Sequence, residues 1–376
     1  EVHLKNNKLT SIIALVLLFA TLSCSIAKSK SEYVKAKEVS NPEEVLLAVK
    51  EAKPGDIIWV KGGSYKFSQR IDIKVNGAQD ARITLMANPN DKTRPNFDFS
   101  ALVEGDSNQG IILRTSFWHI KGIDIFNAGD NGILITGGHD NIIEFCSFSE
   151  CSDTGLQLIA GAANNLILNC DSYNNADSKI ENADGFACKI DVGNNNKFKG
   201  CRAWQNLDDG WDGYLKKTDN VTTIYENCWA FNNGILKDGK LSGGDGNGFK
   251  TGGSDEKTLK HNATFTNCLA TGNVKNGFDH NSNRGEVSII NCISFSNQGK
   301  NLSFGSKNQV SKLTIQNCIL LGVPGTLYAD NLIIENNSWQ IGKEVKVSDF
   351  AGADFKSLTQ PRKPDGSLPD INSSKN

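Results

Sequence analysis

At 376 residues the chain is long enough to bury a sizeable core, and its formal net charge of −2 with 22 % charged residues excludes the basic bias of a nucleic-acid binder. No segment beyond the N-terminus is long and apolar enough to cross a membrane as a helix.

Taken in order, Lys5 and Lys8 precede an apolar run from Ile12 to Leu22, which is too short for a membrane span and reads as a signal h-region. Ser23-Cys24 at its end resembles a bacterial lipoprotein cleavage box, with Cys24 as the lipid-bearing residue. Residues 1–24 are therefore expected to be a signal peptide of secretory or lipoprotein type. That places the mature protein outside the cytoplasm of a bacterium, as a secreted, periplasmic or outer-membrane lipoprotein. Asn41 as N-cap, Pro42 at the first helical position and Glu44 two residues on predict a helix start, and Val45, Leu46 and Val49 supply one apolar face. The helix is expected to end near Pro54-Gly55 and to cap the open edge of the strand Ile57-Ile58-Trp59-Val60.

From about residue 110 the chain repeats itself. Seven cysteines, Cys146, Cys170, Cys201, Cys228, Cys268, Cys292 and Cys318, occupy one slot at spacings of 24, 31, 27, 40, 24 and 26 residues. Stacked in register they form a buried column of free thiols, because parallel side chains do not suit the roughly right-angled disulfide dihedral. Five residues after each cysteine comes a column of Cys151, Asn175, Asn206, Asn233, Asn273 and Asn297, whose amides can satisfy the groups of a tight bend. Ile143, Ile167, Phe198, Tyr225, Phe265, Ile289 and Ile315 face inward. Short strands at a fixed period predict an all-β fold, a parallel β-helix (solenoid) with an N-terminal capping helix. Residues 25–376 are one domain on this reading, a monomer whose polar tail from Pro361 is a strap or a frayed end. The long spacings place insertions at 176–182 and 234–245, expected to wall a cleft.

A second set of columns carries the chemistry. Gly132, Gly155, Gly185, Gly210, Gly248 and Gly277 are each followed by an apolar residue: Ile133, Leu156, Phe186, Trp211, Phe249 and Phe278. The next residues, Leu134, Gln157, Ala187, Asp212, Lys250 and Asp279, point the opposite way and turn charged only mid-chain. Neighbouring strands lie about 4.8 Å apart, so Asp184, Asp209, Asp212 and Lys250 gather on one face, and Asp208 joins them from the turn. Four converging carboxylates cannot all stay ionised without a cation, and an all-carboxylate set selects calcium over zinc. Asp-Asp-Gly-Trp-Asp as mere turn chemistry accounts for Asp209 but not for Asp212 or for Asp184 one coil earlier. Lys250 between glycines is the candidate base. A cation with a lysine base suits β-elimination from a uronate polymer, in which the C5 proton is α to a carboxylate.

Asp-Gly-Phe-Ala-Cys-Lys (184–189), Cys-Arg-Ala-Trp-Gln-Asn-Leu-Asp-Asp-Gly-Trp-Asp (201–212) and Gly-Asn-Gly-Phe-Lys (246–250) together resemble polysaccharide lyase family 9, over roughly residues 35 to 370. Asn-Gly-Phe-Asp-His-Asn (276–281) and Arg-Lys-Pro-Asp-Gly-Ser-Leu-Pro (362–369) extend the likeness. The resemblance implies a right-handed β-helix and a pectate lyase or a rhamnogalacturonan lyase. It implies calcium at Asp184, Asp208, Asp209 and Asp212, Lys250 as base, and an acidic plant cell-wall polysaccharide as partner. Lys189, Tyr214, Lys216 and Arg284 are the substrate-contact candidates, as cations or hydroxyls near the charged column. His280 reads as a core or turn residue. A β-helical polygalacturonase would leave Lys250 without a role. A non-catalytic glycan-binding solenoid would want an exposed aromatic platform, whereas Phe186, Trp211, Phe249 and Phe278 are expected inward.

Overall fold

Strands of two to seven residues wind the chain into three parallel sheets of 12, 10 and 10 strands. This is a right-handed β-helix, known here from a computed structural model that describes residues 36–180, 182–350 and 352–370. The segment expected to be a signal peptide, with Cys24, lies outside the described residues. Each coil visits the sheets in turn, as in Ile57–Val60, Gly63–Lys66 and Ile71–Ile73, before Ile83–Ala87 returns to the first sheet.

The corners explain the residue grammar. Between the first and second sheets every coil from Gly122 onward passes through a left-handed residue: Gly122, Phe145, Asn169, Gly200, Asn227, Asn267, Asn291 and Asn317. Asn and Gly tolerate that region best, which is why they precede the cysteines. The nine described cysteines are all free and buried. All of their thiols but that of Cys188 donate to backbone carbonyls, for example Cys201 Sγ to Ile167 O at 3.3 Å. At the next corner the asparagine column is a continuous ladder. Asn175, Asn206, Asn233 and Asn273 each donate Nδ2 to the Oδ1 of the following member, at 2.9, 3.0, 3.0 and 2.9 Å. A second ladder, Asn141 to Asn165 to Asn196, fills the third corner.

The glycine column sets the register. A Cβ on Gly210 would lie 2.5 Å from the Gly248 carbonyl oxygen of the next coil, so only glycine fits there. The pairs Phe186↔Trp211, Trp211↔Phe249 and Phe249↔Phe278 follow, with rings stacked at 4.9, 4.8 and 5.0 Å inside the helix. Phe198, Tyr225 and Phe265 stack on the first sheet at 5.6 and 4.4 Å.

The helix Pro42–Glu51 forms as its caps predict: Asn41 accepts from Glu44 N at 2.9 Å, while the Glu44 carboxylate accepts from Ser40 N at 2.7 Å. The coils begin earlier than the cysteine pattern suggests. A strand Lys37–Val39 precedes the helix and pairs with Ile57–Val60, and the coils over 57–110 carry apolar alternation without the cysteine and asparagine markers. The C-terminal segment is a strap, at least to residue 370. Phe350, Ala353, Leu358 and Leu368 pack against Trp204, Trp229, Phe231 and Phe295 on the outside of the second sheet. Arg362 ties the strap down, with its guanidinium on Asp171 at 2.6 Å and on the carbonyls of Gly200 and Cys170. Among the described residues no helix is long and apolar enough to cross a membrane.

Candidate active site

Three consecutive strands of the third sheet build the site: Phe186–Cys188, Trp211–Asp212 and Phe249–Lys250. Asp212 and Lys250 are register partners and project outward from the sheet, as their column predicts. Asp184, Asp208 and Asp209 come from the corner just before the strands, and their carboxylate oxygens lie within 4.8 Å of one another.

The corner holds Asp184 and Asp209 by a side-chain ladder of its own. Asp184 N donates to Thr154 Oγ1 at 3.2 Å, and Asp209 N to Asp184 Oδ1 at 3.1 Å. Asn247 N and Nδ2 donate to Asp209 Oδ1 at 2.7 and 2.9 Å, and Asn276 N to Asn247 Oδ1 at 3.1 Å. Each aspartate thus spends Oδ1 on the ladder and turns Oδ2 toward the cleft. There Lys189 Nζ sits 2.9 Å from Asp184 Oδ2, and Lys250 Nζ 2.9 Å from Asp209 Oδ2. Asp212 lies between the two amines, with Oδ1 3.4 Å from Lys250, Oδ2 3.5 Å from Lys189, and Oδ1 also accepting from Tyr214 N at 3.0 Å. Asp208 Oδ1 accepts from Asp245 N at 2.5 Å, so the end of the 234–245 insertion closes one side of the group. Lys237 in that insertion reaches Glu150 at 2.8 Å, and Ser178 in the 176–182 insertion bonds Glu104.

All six charged groups are buried, and Asp184 and Asp209 completely so. Burial, then the charges of Asp209 and Asp184, push Asp208 up to about 9. Burial pushes Asp184 up to about 7 despite Lys189, with Asp212 and Asp209 adding to the rise. Burial also raises Asp209, against the pull of Lys250. Asp212 is the exception: burial opposes its ionisation, but Lys250, Lys189 and the Tyr214 N–H hold it below the usual carboxylate range. Burial pulls Lys250 down, yet Asp209, Asp212, Asp184 and Asp208 together hold it well above a free lysine. Lys189 is raised in the same way, against burial, by Asp184 and Asp212.

The donor set fits a hard dication. It is all carboxylate, its four aspartates formally exceed the two lysines by two charges, and Asp184, Asp208 and Asp209 bind protons more tightly than solvated aspartates do. Asp209 Oδ2 accepts no hydrogen bond among the described residues, its contact with Lys250 lying outside hydrogen-bond geometry.

The substrate candidates separate. Lys189 belongs to the carboxylate group rather than to a free surface. Tyr214 is half-buried beside the site, with its hydroxyl bonded to Asp255. Lys216 and Arg284 follow the two-residue strands Trp211–Asp212 and Phe278–Asp279, and neither cation pairs with the aspartates among the described residues. Lys216 lies with Ser254 and Asp255, and Arg284 with Lys257 and Lys260, at the corner toward the first sheet. His280 packs near Phe304 and the Ser303 carbonyl, as a turn residue. Sequence reasoning missed Thr154, Asn247 and Lys189 as structural members of the site. Thr154 and Asn247 share the slot before the glycines, which was the available signal.

A family model described as "Pel9A-like, right handed beta helix region" matches residues 26–317. The chain is 33 % identical over 356 residues to pectate lyase L of Dickeya chrysanthemi, covering 92 % of this chain and 81 % of that one. Its fold superposes on the crystal structure of pectate lyase Pel9A with a TM-score of 0.76 at 34 % identity, covering 88 % and 83 % of the two chains. A rhamnogalacturonan lyase matches with the same TM-score of 0.76 at 26 % identity, covering 90 % of this chain and 96 % of that one.

Proposed function

The chain belongs to the Pel9A-like right-handed β-helix family and is a pectate lyase-type polysaccharide lyase; from that premise we propose that it cleaves polygalacturonate by calcium-dependent β-elimination, with Lys250 as the base. The observation that carries this reading is Lys250 Nζ placed 2.9 Å from Asp209 and 3.4 Å from Asp212, beside three carboxylates gathered within 4.8 Å. Asp184, Asp208 and Asp209, with Asp212 adjoining, would hold calcium, which supplies charge stabilisation for the substrate carboxylate as C5 gives up its proton. Lys250 takes that proton at Nζ. Asp212 and Asp209 aim the amine, and their charge keeps it protonated as long as it stands uncompensated. Once that charge is taken up, burial, the largest influence on Lys250, favours the neutral amine that a base needs. The electron pair of the C5–H bond then forms the C4=C5 double bond as the C4–O bond breaks, and the departing oxygen of the 4-linked sugar takes a proton from water.

The test is turnover of polygalacturonate at alkaline pH, read as ultraviolet absorbance of the unsaturated product, with calcium and with chelator. Calcium-dependent absorbance that Lys250→Ala abolishes without loss of fold is expected. Absence of such a signal on every uronate polymer refutes the proposal, and chain cleavage without absorbance marks a hydrolase. A rhamnogalacturonan I backbone is the second reading, favoured by the near-complete coverage of the rhamnogalacturonan lyase chain. Side-by-side product profiles on the two polymers decide between them.

A further inference from the structure

The outer face of the second sheet carries a groove that the cleft chemistry does not use. Two outward columns run along it. One is polar, Asn96↔Asp124↔Ser147↔Asp171, and the other is Phe126↔Ser149↔Tyr173↔Trp204. The C-terminal strap covers the second column from Trp204 onward; its Thr359, Pro361 and Arg362 form the rim of the groove, and the strap runs on past the outer side of Phe145 at Gly366. Tyr173 is the last stacked ring, 4.4 Å from Trp204 and tilted from it by 5°. Beyond it the small Ser149, its hydroxyl facing that of Tyr173, leaves a depression before Phe126.

Phe145 forms the wall. It stands at the first corner with φ 52°, in the left-handed region where every other coil from Gly122 to Asn317 has Asn or Gly. A bulky side chain is disfavoured there, and such strain persists where the side chain itself is useful. The Phe145 ring lies under the Arg94 guanidinium at 4.4 Å and lines the groove. Arg94 gives Nε and Nη2 to Asp124 at 3.1 and 2.7 Å, but its Nη1 has no acceptor among the described residues, and neither has the Asn96 amide. Three guanidiniums (Arg94, Arg202 and Arg362) face two carboxylates (Asp124 and Asp171), a local positive excess in a chain of net charge −2.

We propose that this groove is an accessory binding site for acidic oligosaccharide, separate from the cleft on the third sheet. The inference rests on the reading that the substrate is a uronate polymer. Rings beside a row of hydrogen-bonding groups suit a pyranose, with one apolar face and a hydroxyl edge, and the uncommitted Arg94 Nη1 suits its carboxylate. The strap shows that a chain can lie along this face. The polar column makes it a poor surface for a second copy, which would need a contiguous apolar area. Held here, the polymer stays close to the cleft between cleavages.

The test titrates the full-length Lys250→Ala protein with oligogalacturonate by calorimetry, in chelator to disable the cleft, with a neutral mannan oligosaccharide of equal length as control. Binding of the acidic probe is expected to weaken about tenfold or more in the added variants Phe145→Asn and Arg94→Gln. Phe145→Asn installs the residue that other coils use at this corner, so folding is retained. The same substitution in the Lys250 protein should leave turnover of short oligogalacturonate unchanged. The proposal is overturned if no binding is seen, if neither variant weakens it, if the neutral probe binds equally, or if Phe145→Asn instead abolishes a self-association of the protein. Groove binding without turnover in the parent protein would sink the lyase reading and leave the groove standing.

Discussion

Asp209 occupies a slot that other coils fill with Asn131, Asn247 and Asn276, so its ladder role and its charge can be separated by substitution. Asp209→Asn keeps an Oδ1 that accepts from Asn247 N and Nδ2, now at 2.7 and 2.9 Å. It removes one buried negative charge from a group that has two in excess, and Lys250 retains Asp212 at 3.4 Å. In chelator its unfolding free energy should therefore lie within about 1 kcal/mol of the parent. Asp209→Ala instead orphans two buried donors, at about 1–3 kcal/mol each, so a loss of roughly 2–6 kcal/mol is expected. Urea denaturation measures both. In calcium both variants should lose the metal-induced rise in melting temperature and the turnover. Equal destabilisation of the two variants, or full turnover by Asp209→Asn, would refute the division between ladder and ligand.

Asn206→Ala removes a central rung of the other corner ladder, with bonds to Asn233 Oδ1 at 3.0 Å, to Ser172 O at 3.2 Å and from Asn175 Nδ2 at 2.9 Å; about 3 kcal/mol of stability should be lost in urea unfolding, and a loss below about 1 kcal/mol would contradict the ladder's role. Burial, and then the charge of Asp153, push Asp130 up to about 7. Because the folded state holds this proton more tightly than the unfolded chain, Asp130 should make stability fall as pH rises from about 4 through about 7, and Asp130→Asn should flatten that part of a melting-temperature profile. Thiol titration of the denatured, unreduced protein should find the nine described cysteines free, and reductant should not shift the melting temperature.

The columns legible in the sequence are those with a one-residue chemical requirement. Glycine is forced where a Cβ would meet the next coil's carbonyl oxygen at 2.5–2.7 Å, as at Gly132, Gly185, Gly210, Gly248 and Gly277, and asparagine or glycine is favoured where the corner is left-handed, so both mark register directly. The strand Lys37–Val39 and the coils before residue 110 escaped because apolar alternation over three or four residues fits many structures. Lys216 and Arg284 stand near the charged column in the sequence, but the two-residue strands Trp211–Asp212 and Phe278–Asp279 end before them, so the column's register does not fix where their side chains point. The strap was legible only as a polar tail, since its anchor is the long-range pairing of Arg362 with Asp171. The outer aromatic column was missed for a related reason. In Asp171–Tyr173 and Arg202–Trp204 two residues of three point outward, a pattern too short to show which face is covered.

Lys189 gains a different meaning from its position. As a substrate contact it would need a free amine, but its Nζ is 2.9 Å from Asp184 and 3.5 Å from Asp212. With Lys250 it brings four carboxylates to an excess of two negative charges, the charge of one dication. Two effects compete when Lys189 is replaced by Gln. Asp184 loses a partner, yet Thr154 Oγ1 and the Asp209 N–H, at 3.3 and 3.1 Å, still orient its carboxylate. Against that small loss stands the removal of a positive charge that a cation touching Asp184 must approach within roughly 5 Å, a repulsion of several kcal/mol even at an effective dielectric of about 20. The charge effect wins, so Lys189→Gln should bind calcium at least about tenfold more tightly by titration calorimetry. Weaker calcium binding would mean that Lys189 chiefly orients Asp184, and that the resident lysines do not set the charge of the site.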